Sequence, residues 1–144
     1  VVVTDVDGWR YIDRNGRTVV RPWVDGNYPD EFREGLARFV TGPYVGFFDE
    51  SGSVIVRTRF PFVEPFSEGL AVACDGCRPV RQGAHVRYVG GSWGFIDRTG
   101  AVAIGFRYEA ASGFEKGAAR VKQGGRWFGV DRAGRELAPS TTDR

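Results

Sequence analysis

The chain contains no methionine, one histidine and two cysteines. A lone histidine gives a Ser-His-Asp arrangement only one residue to use. Two cysteines and one histidine fall a ligand short of a four-coordinate structural zinc. No apolar run approaches the roughly 20 residues of a membrane-spanning helix. Charge of one sign is missing too. Twenty basic against 18 acidic residues leave a net charge of +2, so neither nucleic acid nor an anionic membrane surface is indicated. No Gly-rich phosphate loop opens a helix, and no stretch holds helical periodicity. The absence of Met, even at position 1, and a start inside a repeat unit read as a processed product or an excised fragment. The lack of a targeting segment then says little about where the parent protein lives.

Aromatics and glycine are abundant instead, at 14% aromatic and 21 Gly in 144 residues, the latter about twice the usual share. Both follow from repetition. Four times an Asp is followed three residues later by Gly: Asp13 and Gly16, Asp49 and Gly52, Asp97 and Gly100, Asp131 and Gly134. The steps between these glycines are 36, 48 and 34 residues. Each Asp ends an aromatic or aliphatic run: Trp9-Arg10-Tyr11-Ile12, Val45-Gly46-Phe47-Phe48, Trp93-Gly94-Phe95-Ile96 and Trp127-Phe128-Gly129-Val130. A second landmark, Phe-x-Glu-Gly or its variant, begins at Phe32, Phe66 and Phe114, with steps of 34 and 48. Two landmarks sharing one spacing define a tandem array.

Within a unit, the glycine after Phe-x-Glu releases a strand such as Leu70-Ala71-Val72-Ala73. Leu36-Ala37-Arg38-Phe39, Ala118-Ala119-Arg120-Val121 and Val1-Val2-Val3 hold the same place. The aromatic strand follows, then Asp-x-x-Gly as a turn, then a β-branched strand such as Ser53-Val54-Ile55-Val56. Three short strands make a sheet too small to stand alone, so units must stack. The expectation is one all-β array of about four antiparallel three-stranded units, approximately 1–31, 32–65, 66–113 and 114–144. It is either open and solenoid-like or closed into a propeller-like ring.

The sequence Phe66-Ser67-Glu68-Gly69-Leu70-Ala71-Val72, followed by Trp93-Gly94-Phe95-Ile96-Asp97-Arg98-Thr99-Gly100, resembles the WG repeat of bacterial proteins. The resemblance runs from about Val1 to Leu137. Arg10 replaces Gly in the first unit, Val45 replaces Trp in the second, and Gly129 is displaced in the fourth. The resemblance implies a β-rich repeat in exported or envelope-associated proteins, and no enzymatic activity or catalytic residues.

One insertion, about 74–88, breaks the register. It holds Cys74, Cys77 and His85. A zinc site on these three lacks a fourth ligand. A thiol redox pair lacks the helix that lowers a thiol pKa. The favoured reading is structural: Asp75-Gly76 as a hairpin turn, with the cysteines flanking it as a disulfide or as small apolar residues. Arg78, Arg81, His85 and Arg87 make the insertion basic, a candidate contact for an acidic partner. Trp9, Trp93 and Trp127 recur in phase and are expected in the core, whereas Trp23 recurs nowhere and is the surface candidate. Phe32, Phe66 and Phe114 are expected buried between units. The repeated aspartates and glutamates have structural duty in every unit, and Asp13-Arg14-Asn15-Gly16 lacks the ligand spacing of a calcium loop.

The function these residues indicate is a non-enzymatic module presenting an extended surface to a protein or cell-envelope component. The alternative is a glycan-binding module using exposed aromatics. A metal- or thiol-dependent activity at the insertion is the third reading. No cofactor is expected. Self-association through free sheet edges is a further expectation.

Overall fold

Two-residue alternation decides the architecture. The structure, a computed structural model, describes residues 2–5, 8–25 and 28–138. Val1 and residues 139–144, assigned from sequence to the first and fourth units, lie outside them. No described residue is helical.

The first unit is the sheet β1 (Val2–Asp5), β2 (Gly8–Ile12), β3 (Thr18–Val20). A two-stranded ribbon, β4 (Val24–Asp25) with β5 (Tyr28–Pro29), follows it. The second unit is β6 (Leu36–Thr41), β7 (Tyr44–Asp49), β8 (Val54–Val56). The third unit contributes β9 (Phe62–Val63), β10 (Leu70–Asp75), β11 (Arg78–Gln82), β12 (His85–Val89), β13 (Ser92–Asp97) and β14 (Val102–Tyr108). Its sheet runs β14-β13-β10-β9, with β11 and β12 paired separately. The fourth unit is β15 (Ala110–Ala111), β16 (Ala119–Gln123), β17 (Arg126–Val130). All pairings are antiparallel.

Three strands per unit is therefore an undercount. The linker before each Phe-x-Glu-Gly adds a short strand along the unit's first strand. Phe62 and Val63 pair with β10, Ala110 and Ala111 pair with β16, and Pro22 bridges Phe39. The linker must cross to the far edge of the next sheet, and pairing satisfies its backbone on the way.

Successive sheets stack face to face. On β10, Leu70, Val72 and Cys74 enter the core shared with the fourth unit, and Ala71 and Ala73 the core shared with the second. On β7, Val45 and Phe47 face the third unit and Phe48 the first. Middle sheets are thus buried on both faces, which is why their strands read as continuous apolar runs. The third residue of each aromatic strand meets the phenylalanine leading the next unit. The ring centroids of Tyr11 and Phe32, Phe47 and Phe66, and Phe95 and Phe114 lie 6.4, 4.5 and 5.0 Å apart. Phe66 and Phe114 are buried, while Phe32 is half-buried, packed on Tyr11 and Phe48 at the thinner end of the stack. Each core joins successive units only, so among the described residues the array does not close into a ring.

Two turns recur. In every Asp-x-x-Gly turn the Gly amide donates to the Asp carbonyl at 2.9–3.0 Å. The Asp Oδ1 accepts from the amides two and four residues on. Gly16, Gly52, Gly100 and Gly134 have φ of 80°, 87°, 88° and 82°. The second turn was legible only as a glycine. Glu34-Gly35, Glu68-Gly69 and Lys116-Gly117 all have positive φ at both residues, the two-residue hairpin geometry that matches strand twist. A non-glycine residue there is strained, and each of these turns receives a compensating contact. The Glu34 carboxylate accepts from the Glu68 and Gly69 amides at 2.6 and 3.0 Å, and Glu68 accepts from the Gly117 amide at 2.9 Å. Arg98 donates to the Glu34 carbonyl at 2.8 Å, and Arg132 donates to the Glu68 carbonyl. A carboxylate ladder therefore runs turn to turn along the stack and stops at Lys116.

Two sequence expectations are corrected here. Asp75-Gly76 is not a hairpin turn, because Asp75 ends β10 and pairs with Ser92 of β13. The reversal lies at Gly83-Ala84, between Gln82 and His85. Strand register set by the β10–β13 pairing overrides the local Asp-Gly preference. Trp127 is not core. The first and third residues of each aromatic strand face the following unit, and behind Trp127 no described unit follows, so it is 47% exposed. Trp93, at the same position, is buried, and Trp9 is half-buried.

Candidate functional site

The inserted element is the hairpin β11–β12, an extension of the β10–β13 hairpin interrupted by a neck. Cys74 and Cys77 are disulfide-bonded across one side of the neck. Gly90 and Gly91 form the other side, and a Cβ at Gly91 would collide with the Asp75 carbonyl. Both strands change direction here because the chains approach closer than any side chain permits. Cys74 belongs to the repeat strand itself, opposite Trp93.

Alternation divides the hairpin. Pro79 pairs with Tyr88 and Arg81 with Val86 on one face. Arg78, His85 and Arg87 lie on the other. The basic residues thus do not form one patch. Arg81 alone shares a face with the groove described next. His85 stands at the tip of the hairpin, paired with Gln82, while the cysteines stand at its base. Among the described residues no three His, Cys, Asp or Glu side chains form a metal-binding group.

The hairpin folds toward the first linker. The Tyr88 ring stacks on Phe62 at 4.4 Å with an interplanar angle of 8°, and Phe62 packs on Trp23 at 5.7 Å. Between them lie two adjoining depressions of about 470 and 360 Å³. Trp23, Val40 and Tyr88 line both. Pro43, Tyr44, Pro61 and Pro79 complete the first, and Pro22, Val24, Arg81 and Val86 the second. Trp23 and the insertion were separate oddities in the sequence, and the fold brings them together. Tyr44 and Tyr88 carried no flag, since a tyrosine near a strand end has no distinctive pattern.

Beneath Trp23 lies a built electrostatic support. Arg38 is buried, with its guanidinium 4.0 Å from the Trp23 ring centroid. It donates to both Asp30 carboxylate oxygens at 2.7 and 3.0 Å and to the Val63 carbonyl at 3.0 Å. The Asp30 carboxylate also takes the Arg38 amide at 2.9 Å. Such bidentate pairing satisfies a desolvated guanidinium and fixes its plane. Trp23 is thereby held in one pose. Burial raises the Glu64 carboxyl above its ordinary 4.5, with Arg38 opposing. Burial likewise raises the Tyr88 phenol, again opposed by Arg38. Elsewhere the shifted carboxyls belong to the turns. Asp49 and Asp97 are lowered chiefly by the hydroxyls of Ser51 and Thr99, and Asp131 chiefly by the Arg135 amide.

Stacked small antiparallel sheets with two turns recurring in register define a tandem β-repeat protein. The glycine beside the tryptophan has a physical reason in the middle units. A Cβ at Gly94 would stand 2.7 Å from the Ile104 carbonyl, and one at Gly46 would strike the Val56 carbonyl. The family model described as a WG containing repeat matches residues 46–76 and 93–127, and those two segments are similar to that repeat. The residues between the matched segments contain β11–β12, so the hairpin lies outside the family pattern. No curated protein and no solved structure matches the chain significantly. No helix among the described residues is long and apolar enough to cross a membrane.

Proposed function

We propose that this repeat module is a non-enzymatic interaction domain that docks a protein partner on the Trp23–Tyr44–Tyr88 groove. The observation that carries the reading is the coincidence of irregularities. The one inserted hairpin stacks through Tyr88 on Phe62, which packs on the one tryptophan outside the repeat phase, and a preformed apolar groove lies between them. A repeat scaffold supplies rigidity, and residues that break its rule are free of scaffold duty.

Lining chemistry favours protein over glycan. Sugar recognition needs planar polar side chains around the stacking ring, and neither depression is lined by Asp, Glu, Asn or Gln. The perturbed carboxyls elsewhere are explained by turn geometry and, at Glu64, by burial, which supports a binding role over a catalytic one.

The test is selection of a random displayed dodecapeptide library on the folded chain, counter-selected on Tyr44→Ala and Trp23→Ala, beside a glycan array. Among the described residues Tyr44 makes no ring contact, so its loss leaves the stack intact. Peptides that need Tyr44 support the reading. Groove-dependent glycan binding moves the assignment to the second class, and no groove-dependent binding of any kind overturns it.

A further inference from the structure

We infer that the groove takes an extended, proline-bearing segment carrying a carboxylate at one end; this rests on the groove being the docking surface. Four observations converge on that occupant.

The first is that the floor offers no free ladder. The Trp23 amide donates to the Arg38 carbonyl, and the Trp23 carbonyl accepts from the Asp30 amide. The Val40 amide donates to Arg21 and the Val45 amide to Phe60. Thr58 Oγ1 donates to the Val45 carbonyl at 2.6 Å. At Trp23, Val40 and Val45 the main-chain groups that strand addition would use are thus already engaged.

The second is the supply of side-chain donors. The Trp23 indole N–H and the Tyr44 and Tyr88 hydroxyls make no hydrogen bond among the described residues, in contrast to Trp93, whose indole donates to the Gly90 carbonyl at 2.9 Å. Rings with outward donors suit a ligand whose own carbonyls are unsatisfied. A polyproline II segment is such a ligand, because it has no internal hydrogen bonds.

The third is shape. Two shallow depressions adjoin, and Trp23, Val40 and Tyr88 line both. A polyproline II chain repeats every three residues, about 9 Å, so residues three apart can enter neighbouring depressions. A helix would present a single broad ridge instead. Proline also lowers the ordering cost of binding, since its φ is fixed beforehand.

The fourth is charge. Among the described residues Arg81 is the one charged side chain in the lining, and it lies in the second depression only. Its hairpin partner Val86 and the nearby Ala84 offer it no carboxylate. A carboxylate at that end of the ligand completes the pairing.

Fluorescein-labelled dodecapeptides measured by anisotropy on the full chain test this. The probes are repeats of Glu-Pro-Pro, Lys-Pro-Pro and Glu-Gly-Gly. Glu-Pro-Pro is expected to bind at least about tenfold more tightly than either of the others. Tyr44→Phe, which removes one hydroxyl and no ring, is expected to weaken it severalfold. Arg81→Glu, on the exposed hairpin, is expected to reverse the preference between the Glu and Lys peptides. Equal binding of Glu-Pro-Pro and Glu-Gly-Gly overturns the proline assignment, and an unchanged charge preference in Arg81→Glu overturns the carboxylate. Groove-dependent library peptides without proline or acid overturn this inference while leaving the docking surface standing. No groove-dependent binder at all removes both.

Discussion

Gly100 carries two constraints at one atom. Its φ of 88° suits glycine, and an added Cβ would stand 3.1 Å from a Val56 methyl of the preceding unit. Gly100→Val is therefore expected to cost at least about 1 kcal/mol, measured by urea denaturation. A neutral result would remove the turn from the stacking interface. Phe66→Ala is expected to cost roughly 3–5 kcal/mol because Phe66 is fully enclosed, and Phe32→Ala distinctly less. The turn aspartates predict an acid effect. Asp49, Asp97 and Asp131 have folded pKa values below the ordinary 3.8. Their stabilisation is present above that value and is lost as pH falls through the folded ones. Asp49→Asn with Asp97→Asn should thus narrow its stability gap to the parent chain as pH drops below 3.8. Glu64 has the opposite sign. Its raised carboxyl favours the protonated folded state, so lowering pH from neutrality toward 4.5 should stabilise the parent chain relative to Glu64→Gln.

Elements show where sequence reading succeeds and where it stops. The Asp-x-x-Gly turns and the aromatic strands were legible because their determinants are local and repeated. The Glu-Gly turns were half legible. Gly35 and Gly69 announce a turn, but nothing in Glu34 or Glu68 announces left-handed backbone, because the compensating contacts come from neighbouring units. The hairpin was legible as an excess of residues, and its reversal was misplaced because Asp75-Gly76 is a stronger local signal than Gly83-Ala84. Trp23 and the insertion were each visible, but their approach depends on how the neck directs the hairpin, which no spacing encodes. The neck also yields a prediction. Replacing residues 76–91 by a two-residue turn should leave the stack folded, since Asp75 already pairs with Ser92. Trp23 should then become more exposed, with red-shifted emission. Unfolding on this excision would show the hairpin to be structural instead.

At the scale of the whole molecule the last unit differs from the others at three register positions. Gly129 stands where Tyr11, Phe47 and Phe95 supply the interfacial ring. Lys116 stands where Glu34 and Glu68 supply the ladder carboxylate. Leu137 lies across the bare position, its amide donating to the Gly129 carbonyl at 2.8 Å. These are the properties of a capping repeat. Restoring the interior chemistry with Lys116→Glu and Gly129→Phe, together with Leu137→Gly, is expected to promote end-to-end association, read by sedimentation velocity. A monomer at every concentration would mean that the three differences do not cap the array.

The ladder has a consequence for how such a chain changes length over generations. A duplicated third unit spliced between the second and third would find a carboxylate above its turn, a pair of amides below it and a ring on either side. The same copy spliced after the fourth unit would meet an ammonium group and a glycine. Gene duplication can therefore lengthen this array from within, whereas a copy placed behind Lys116 would find neither carboxylate nor ring to dock on.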